Sequence, residues 1–89
     1  MRGETYEVYL KITGLVQGVN FRYFLVRSAA AMGLKGWVRN QEDGSVAASA
    51  QGPSKFVLEE FIEIAKRGPK NARVENVEVK WEKPEESFE

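Results

Sequence analysis

Between Tyr6 and Thr13 apolar and polar positions alternate, with Tyr6, Val8, Leu10 and Ile12 set against Glu7, Tyr9, Lys11 and Thr13. That period of two predicts a strand with one buried face. The rhythm then changes: Phe21, Leu25, Ser28, Ala29 and Met32 fall on one helical face, and Gly33 supplies a stop. Asn20 stands at the N-cap position of this helix, where its side chain can accept a bond from an early helical N–H. A second strand is predicted over 35–40 and a third over 45–51, the latter with Val46, Ala48 and Ala50 on one face. Asp43-Gly44 between them is a hairpin signal.

Gly52-Pro53-Ser54 breaks the pattern and opens a second helix, with Ser54 as its cap and Leu58, Phe61, Ile62 and Ala65 as its buried stripe. Glu59, Glu60 and Glu63 fall largely on other faces, and Gly68-Pro69 ends the helix. The last strand sets Val77, Val79 and Trp81 against Glu78, Lys80 and Glu82, Pro84 stops it, and 85–89 form a short acidic tail. The order is strand, helix, strand, strand, helix, strand. Two amphipathic helices covering the apolar face of one sheet make a two-layer α+β sandwich. Eighty-nine residues have room for one core, so residues 1–89 are expected to form one domain.

Composition narrows the chemistry. The chain contains no cysteine and no histidine. A thiol nucleophile and a disulfide are ruled out, and a zinc centre or serine triad loses its usual ligand or base. Net charge is zero, against a protein that holds nucleic acid by bulk attraction. The charge is unevenly distributed: residues 1–39 carry six basic and two acidic side chains, and the remainder seven and eleven. A positive first half suits a small anionic ligand better than a long polyanion. No apolar run is long enough to span a membrane and no secretion signal opens the chain, so the expected location is the cytoplasm.

The candidate chemistry lies in Gly14-Leu15-Val16-Gln17-Gly18-Val19-Asn20-Phe21-Arg22, read as a strand-to-helix turn. Two glycines allow a tight bend and close approach to a ligand, and the amides that follow lead into a helix N-terminus, where donors lack intrahelical partners. Arg22 adds a planar fork suited to phosphate oxygens. The combination reads as an anion cradle, although Gly-rich turns also arise for steric reasons alone. For Arg22 two readings stand: a surface arginine slightly mismatched with the helix dipole, or a cation whose mismatch a bound anion removes. Asn40 likewise has two. Asparagine before a turn ordinarily bonds its own backbone, whereas its amide can also position a water, donating and accepting at once. The acidic side chains look like solvated faces, and Tyr6, Tyr9, Tyr23, Trp37 and Trp81 more like core or sheet cover than a stacking surface.

That string, followed by Gly33-Leu34-Lys35-Gly36-Trp37-Val38-Arg39-Asn40, Asp43-Gly44-Ser45-Val46, Gly52 and Gly68-Pro69, closely resembles the acylphosphatase family. The resemblance implies a ferredoxin-like sandwich, its antiparallel sheet covered on one face by the two helices. It also implies hydrolysis of the carboxyl–phosphate anhydride of acyl phosphates, without metal, cofactor or covalent intermediate. Carried over by position, Arg22 grips the phosphoryl group, the amides of Gln17, Gly18, Val19, Asn20, Phe21 and Arg22 cradle its oxygens, and Asn40 holds the attacking water. The substrate's own phosphate takes the water's proton. The expected partner is a small acyl phosphate, with phosphate or sulfate as alternative occupants of the cradle, no nucleic acid or membrane, and a monomeric chain.

Two departures and two rivals complete the reading. Family members usually finish with a further short strand where this sequence stops at Phe88-Glu89, which predicts an exposed sheet edge. Asn20 occupies a position often held by glycine or an aromatic residue. The rivals are a non-catalytic module of the same family, which binds rather than turns over, and an RNA-binding domain of the same topology. Lys35-Gly36-Trp37-Val38 lacks the continuation of the RNA-binding motif and lies on the wrong strand for the latter.

Overall fold

Six elements follow one another in the computed structural model, which describes residues 5–83: β1 (Tyr6–Leu15), α1 (Phe21–Ala31), β2 (Lys35–Asn40), β3 (Val46–Gly52), α2 (Lys55–Arg67) and β4 (Arg73–Glu82). The expectations about Pro84, the acidic tail and the strand at Phe88-Glu89 lie outside the described residues. The strands form one antiparallel sheet in the order β2-β3-β1-β4. Helix α1 lies against β2 and β3, and α2 against β1, β3 and β4. The ferredoxin-like α+β arrangement expected from the sequence is the one observed.

Period-two alternation decides which side chains meet the helices. The rows Val8–Ala50, Leu10–Ala48 and Ile12–Val46 join β1 to β3, and all six residues are buried. From the other layer Leu25, Leu58, Phe61, Ile62 and Ala65 complete the core. Each fully buried Leu, Val or Phe contributes about 1.5–3 kcal/mol by leaving water. Local chemistry ends both helices where the sequence placed the signals. Ser54 accepts the Val57 N–H at 3.2 Å, and Gly68 donates back to Ile64 at 3.0 Å. At the end of α1, Leu34 donates to Ala29 at 2.9 Å and Gly33 to Ala30 at 3.1 Å, the paired bonds of a Schellman stop.

Three features were not foreseen. The first strand continues through Gly14 and Leu15, so these residues belong to β1 rather than to the turn. A register shift between Thr13 and Gly14 lets β1 stay paired with β4 to Arg73. Gly14 has φ +125°, and a Cβ there would run into the Arg73 carbonyl and lie 2.8 Å from the Glu75 nitrogen. The residue is glycine because β4 backbone approaches it, not because a ligand does.

The second concerns β4, whose apolar residues are only partly covered: Val79 and Trp81 remain 38% and 39% exposed, because among the described residues β4 is an edge strand, paired with β1 on one side and packed by α2 as its single helix. The third lies on the face opposite the helices. There Ala47, Ser49 and Gln51 are buried even so. They belong to the inner strand β3, flanked in register by Trp37 and Arg39 of β2 and by Tyr9 and Lys11 of β1. Trp37 stands 6.2 Å from Tyr9 between ring centroids, and the Arg39 guanidinium lies 4.1 Å over the Trp37 ring.

Replacing Gly14→Ala is expected to cost more than about 2 kcal/mol, because the positive φ and the contact with β4 add. Urea unfolding measures it, and a loss below about 0.5 kcal/mol would show that the bulge relaxes around a methyl group.

Candidate active site

The connection between β1 and α1 is short and held at both ends by the core: Val16 and Phe21 are each 1% exposed. Between them Gly18 and Asn20 have φ of +75° and +64°, and these two left-handed residues turn the chain from the sheet into the helix. A Cβ on Gly18 would meet nothing within 4 Å, so glycine is required there by its backbone angle, and the space beside it is open. Asparagine is among the few non-glycine residues that tolerate this region, which suits Asn20 to a position the resemblance associates with glycine or an aromatic residue.

Asn20 occupies the N-cap position, as expected, but its side chain makes no capping bond. The reason is its left-handed conformation, whereas a capping residue ordinarily adopts extended angles. The first backbone bond of α1 runs from Phe24 to the Asn20 carbonyl at 3.0 Å. The amides of Phe21, Arg22 and Tyr23 lie ahead of it, and no acidic residue occupies the first turn. N–H groups without a partner among the described residues and the positive end of the helix dipole therefore converge at an uncapped start. Arg22 is exposed on that turn and, among the described residues, forms no ion pair.

Gln17 plays a part that sequence reasoning missed. Its Nε2 donates to the Gln41 and Ser45 carbonyls, both at 2.8 Å. One side-chain amide thus ties the loop to the β2–β3 hairpin. The hairpin is itself built around Asp43. Ser45 donates to Asp43 Oδ1 through its backbone N–H at 2.9 Å and its hydroxyl at 2.6 Å, and Lys11 pairs with Oδ2 at 3.2 Å. These bonds, those from Ser45 foremost, hold the Asp43 carboxyl down to about 2, while the carboxylate pushes the Lys11 ammonium up.

With Asp43 supplying the turn chemistry, Asn40 is left out of it. Among the described residues its amide has no hydrogen-bond partner, and the residue is exposed. Its place follows from register: Asn40 pairs with Val46, Val46 with Ile12, and Ile12 with Val77. Asn40 therefore belongs to the face the helices cover, in a row three residues short of the end of β1. Gln41, its neighbour, is where Gln17 attaches. The loop, the start of α1 and Asn40 share one end of the sheet. Phe21 and Val19 contribute to the core through their side chains, so only their amides face outward chemistry.

The sequence profile of the acylphosphatase family matches residues 8–89. The chain belongs to the acylphosphatase family. It is 47% identical to the acylphosphatase of Salinibacter ruber over 87 residues, covering 98% of this chain and 90% of that one. It is 51% identical to the acylphosphatase of Thermococcus kodakarensis over 77 residues, covering 86% and 84%. In three dimensions it matches the crystal structure of acylphosphatase from Bacillus subtilis with a TM-score of 0.85 at 35% identity, over 89% of this chain and 87% of that chain.

Two expectations follow from the ties around the loop. Gln17→Met, which keeps the volume and removes the donor, is expected to cost about 1–2 kcal/mol in urea unfolding, because the bonds from the loop to the Gln41 and Ser45 carbonyls are lost while those carbonyls keep their backbone partners within the hairpin. Full stability would show that the loop holds itself. The Asp43 carboxyl titrates lower in the folded chain than in the unfolded one, so its stabilisation is complete above about pH 4 and fades as pH falls through about 2. Asp43→Ala should therefore unfold at a lower temperature than the parent at about pH 6, with the gap closing toward about pH 2. A gap that stays constant would assign the effect to side-chain packing.

Proposed function

We propose that the chain is a hydrolase of acyl phosphates, in which the amides from Gln17 to Arg22 cradle the phosphoryl group, the Arg22 guanidinium grips it, and Asn40 orients the attacking water. The observation that carries the reading is the uncapped start of α1, with Arg22 on its first turn and Asn40 on the adjoining strand end. Membership of the acylphosphatase family supports the reaction class.

The chemistry asks little of the protein. Water attacks phosphorus as the bond from phosphorus to the acyl oxygen breaks, and that electron pair leaves on the carboxylate. A carboxylate is a stable leaving group, so it requires no general acid. The water's proton passes to a phosphate oxygen of the substrate, consistent with a chain that contains no histidine or cysteine. What remains is positioning and neutralising the equatorial oxygens, for which fixed amides and one guanidinium suffice. Neither a metal nor a covalent intermediate enters this scheme. Asn40 can donate and accept, but it cannot remove a proton near neutral pH, so its role is to aim the water.

Hydrolysis of benzoyl phosphate in the presence of a chelator tests the reading. Arg22→Gln is expected to lower turnover by about a thousandfold or more and to abolish competition by inorganic phosphate. Asn40→Ala is expected to lower kcat by about a hundredfold or more, while inorganic phosphate competes with nearly unchanged affinity. Near-normal turnover by Asn40→Ala would remove that residue from the mechanism. A folded parent chain with no activity above the spontaneous rate would replace hydrolysis by binding.

A further inference from the structure

The flank of α1 beside the loop carries a second feature. An open cavity of about 460 Å³ is lined by Asn20, Tyr23, Phe24, Arg27, Ser28 and Pro69. We propose that this cavity receives the acyl group of the substrate, and that Arg27 selects acyl groups bearing a second negative charge. The inference rests on the reading above and deepens it, since the cradle accounts for the phosphoryl end only.

Continuity with the loop comes first. Asn20 is both a residue of the turn and part of the cavity wall. A phosphoryl group at the first amides of α1 therefore has its substituent at the mouth of this cavity. The wall then changes character along the helix. Tyr23 and Phe24 supply ring surface, with Phe24 anchored edge-on against the buried Phe21 at 6.0 Å between centroids. Ser28 uses its proton within the helix, donating to the Phe24 carbonyl at 2.8 Å. Arg27 is the single charged residue of the wall, and it is positive.

Direction favours the same conclusion. Helical side chains lean toward the N-terminus, and the Arg27 guanidinium accordingly lies 5.6 Å from the Tyr23 ring centroid, one turn back toward the loop. Among the described residues Arg27 forms no ion pair, and α1 contains no acidic residue to neutralise it. Contact with the Tyr23 ring restrains the cation without neutralising it, so the N–H edge of the guanidinium remains able to bind an anion. An acyl group lying on Tyr23 brings its far end to that edge. Neutral acyl groups gain the ring contact alone, whereas an acyl group ending in a carboxylate or phosphate gains a charge-assisted bond as well.

The test compares two acyl phosphates of similar shape, 4-carboxybenzoyl phosphate and 4-methylbenzoyl phosphate, in the parent chain, Arg27→Gln and Arg27→Lys. The quantity read is the ratio of kcat/KM for the first substrate to that for the second. Intrinsic reactivity differs between the two but is the same for every enzyme, so it cancels when the ratios are compared. Arg27→Gln is expected to lower the ratio about threefold to tenfold, Arg27→Lys to retain part of it, and added salt to shrink the parent's preference. An unchanged ratio in Arg27→Gln, with both substrates still hydrolysed, would overturn this assignment and leave the reaction class standing. A parent chain that hydrolyses neither substrate would overturn both.

Discussion

One side-chain amide carries an unusual share of the site's geometry. Gln17 closes the Gln41 and Ser45 carbonyls together, and so joins the exit of β1 to the turn between β2 and β3. Without that bridge the loop would be held by the core contacts of Val16, Val19 and Phe21, with no side-chain tie to the hairpin. With it, the loop leading into α1 is tied to the residue that follows the end of β2. The polar groups at both ends of the bridge are satisfied, which is the condition under which a partly buried amide adds order rather than cost.

The hairpin on the far side of the bridge has its own support. Asp43 takes two bonds from Ser45 and an ion pair from Lys11, and thereby relieves Asn40 of the turn chemistry that asparagine often performs. Division of labour between these two residues leaves the Asn40 amide without a partner among the described residues. The same logic runs through the start of α1. Its capping residue is turned left-handed and cannot cap, so the helix keeps its exposed donors and tolerates an arginine there. An uncapped N-terminus and an arginine without an ion pair among the described residues are each mildly unfavourable in isolation, and the proposed phosphoryl ligand would resolve both at once.

Most of the fold was legible because its signals are local or periodic. Alternation in β1 and β3 assigned their buried faces correctly, and the stripe Leu58, Phe61, Ile62 and Ala65 named the buried face of α2. Ser54, Gly33 and Gly68 marked helix ends through bonds spanning only a few residues. The string from Gly14 to Arg22 marked a strand-to-helix connection because it joins glycines to an emerging helix, and the resemblance it carried is borne out by the family match over residues 8–89.

What the sequence by itself determined, then, was the order of elements and the apolar face that β1, β3 and the helices turn to the core. Tertiary structure decided the rest, since those features depend on partners far away in the chain. Gly14 is glycine for the sake of β4, some sixty residues on, and no local pattern announces such an approach. The tie from Gln17 spans a separation of 24 residues to Gln41 and 28 to Ser45, and a glutamine carries no mark of the carbonyl it will find. Burial of Ala47, Ser49 and Gln51 on the helix-free face came from the inner position of β3 and the long neighbours beside it, a consequence of strand order. Periodicity sets which way a side chain faces, but only the pairing of strands sets what it meets there.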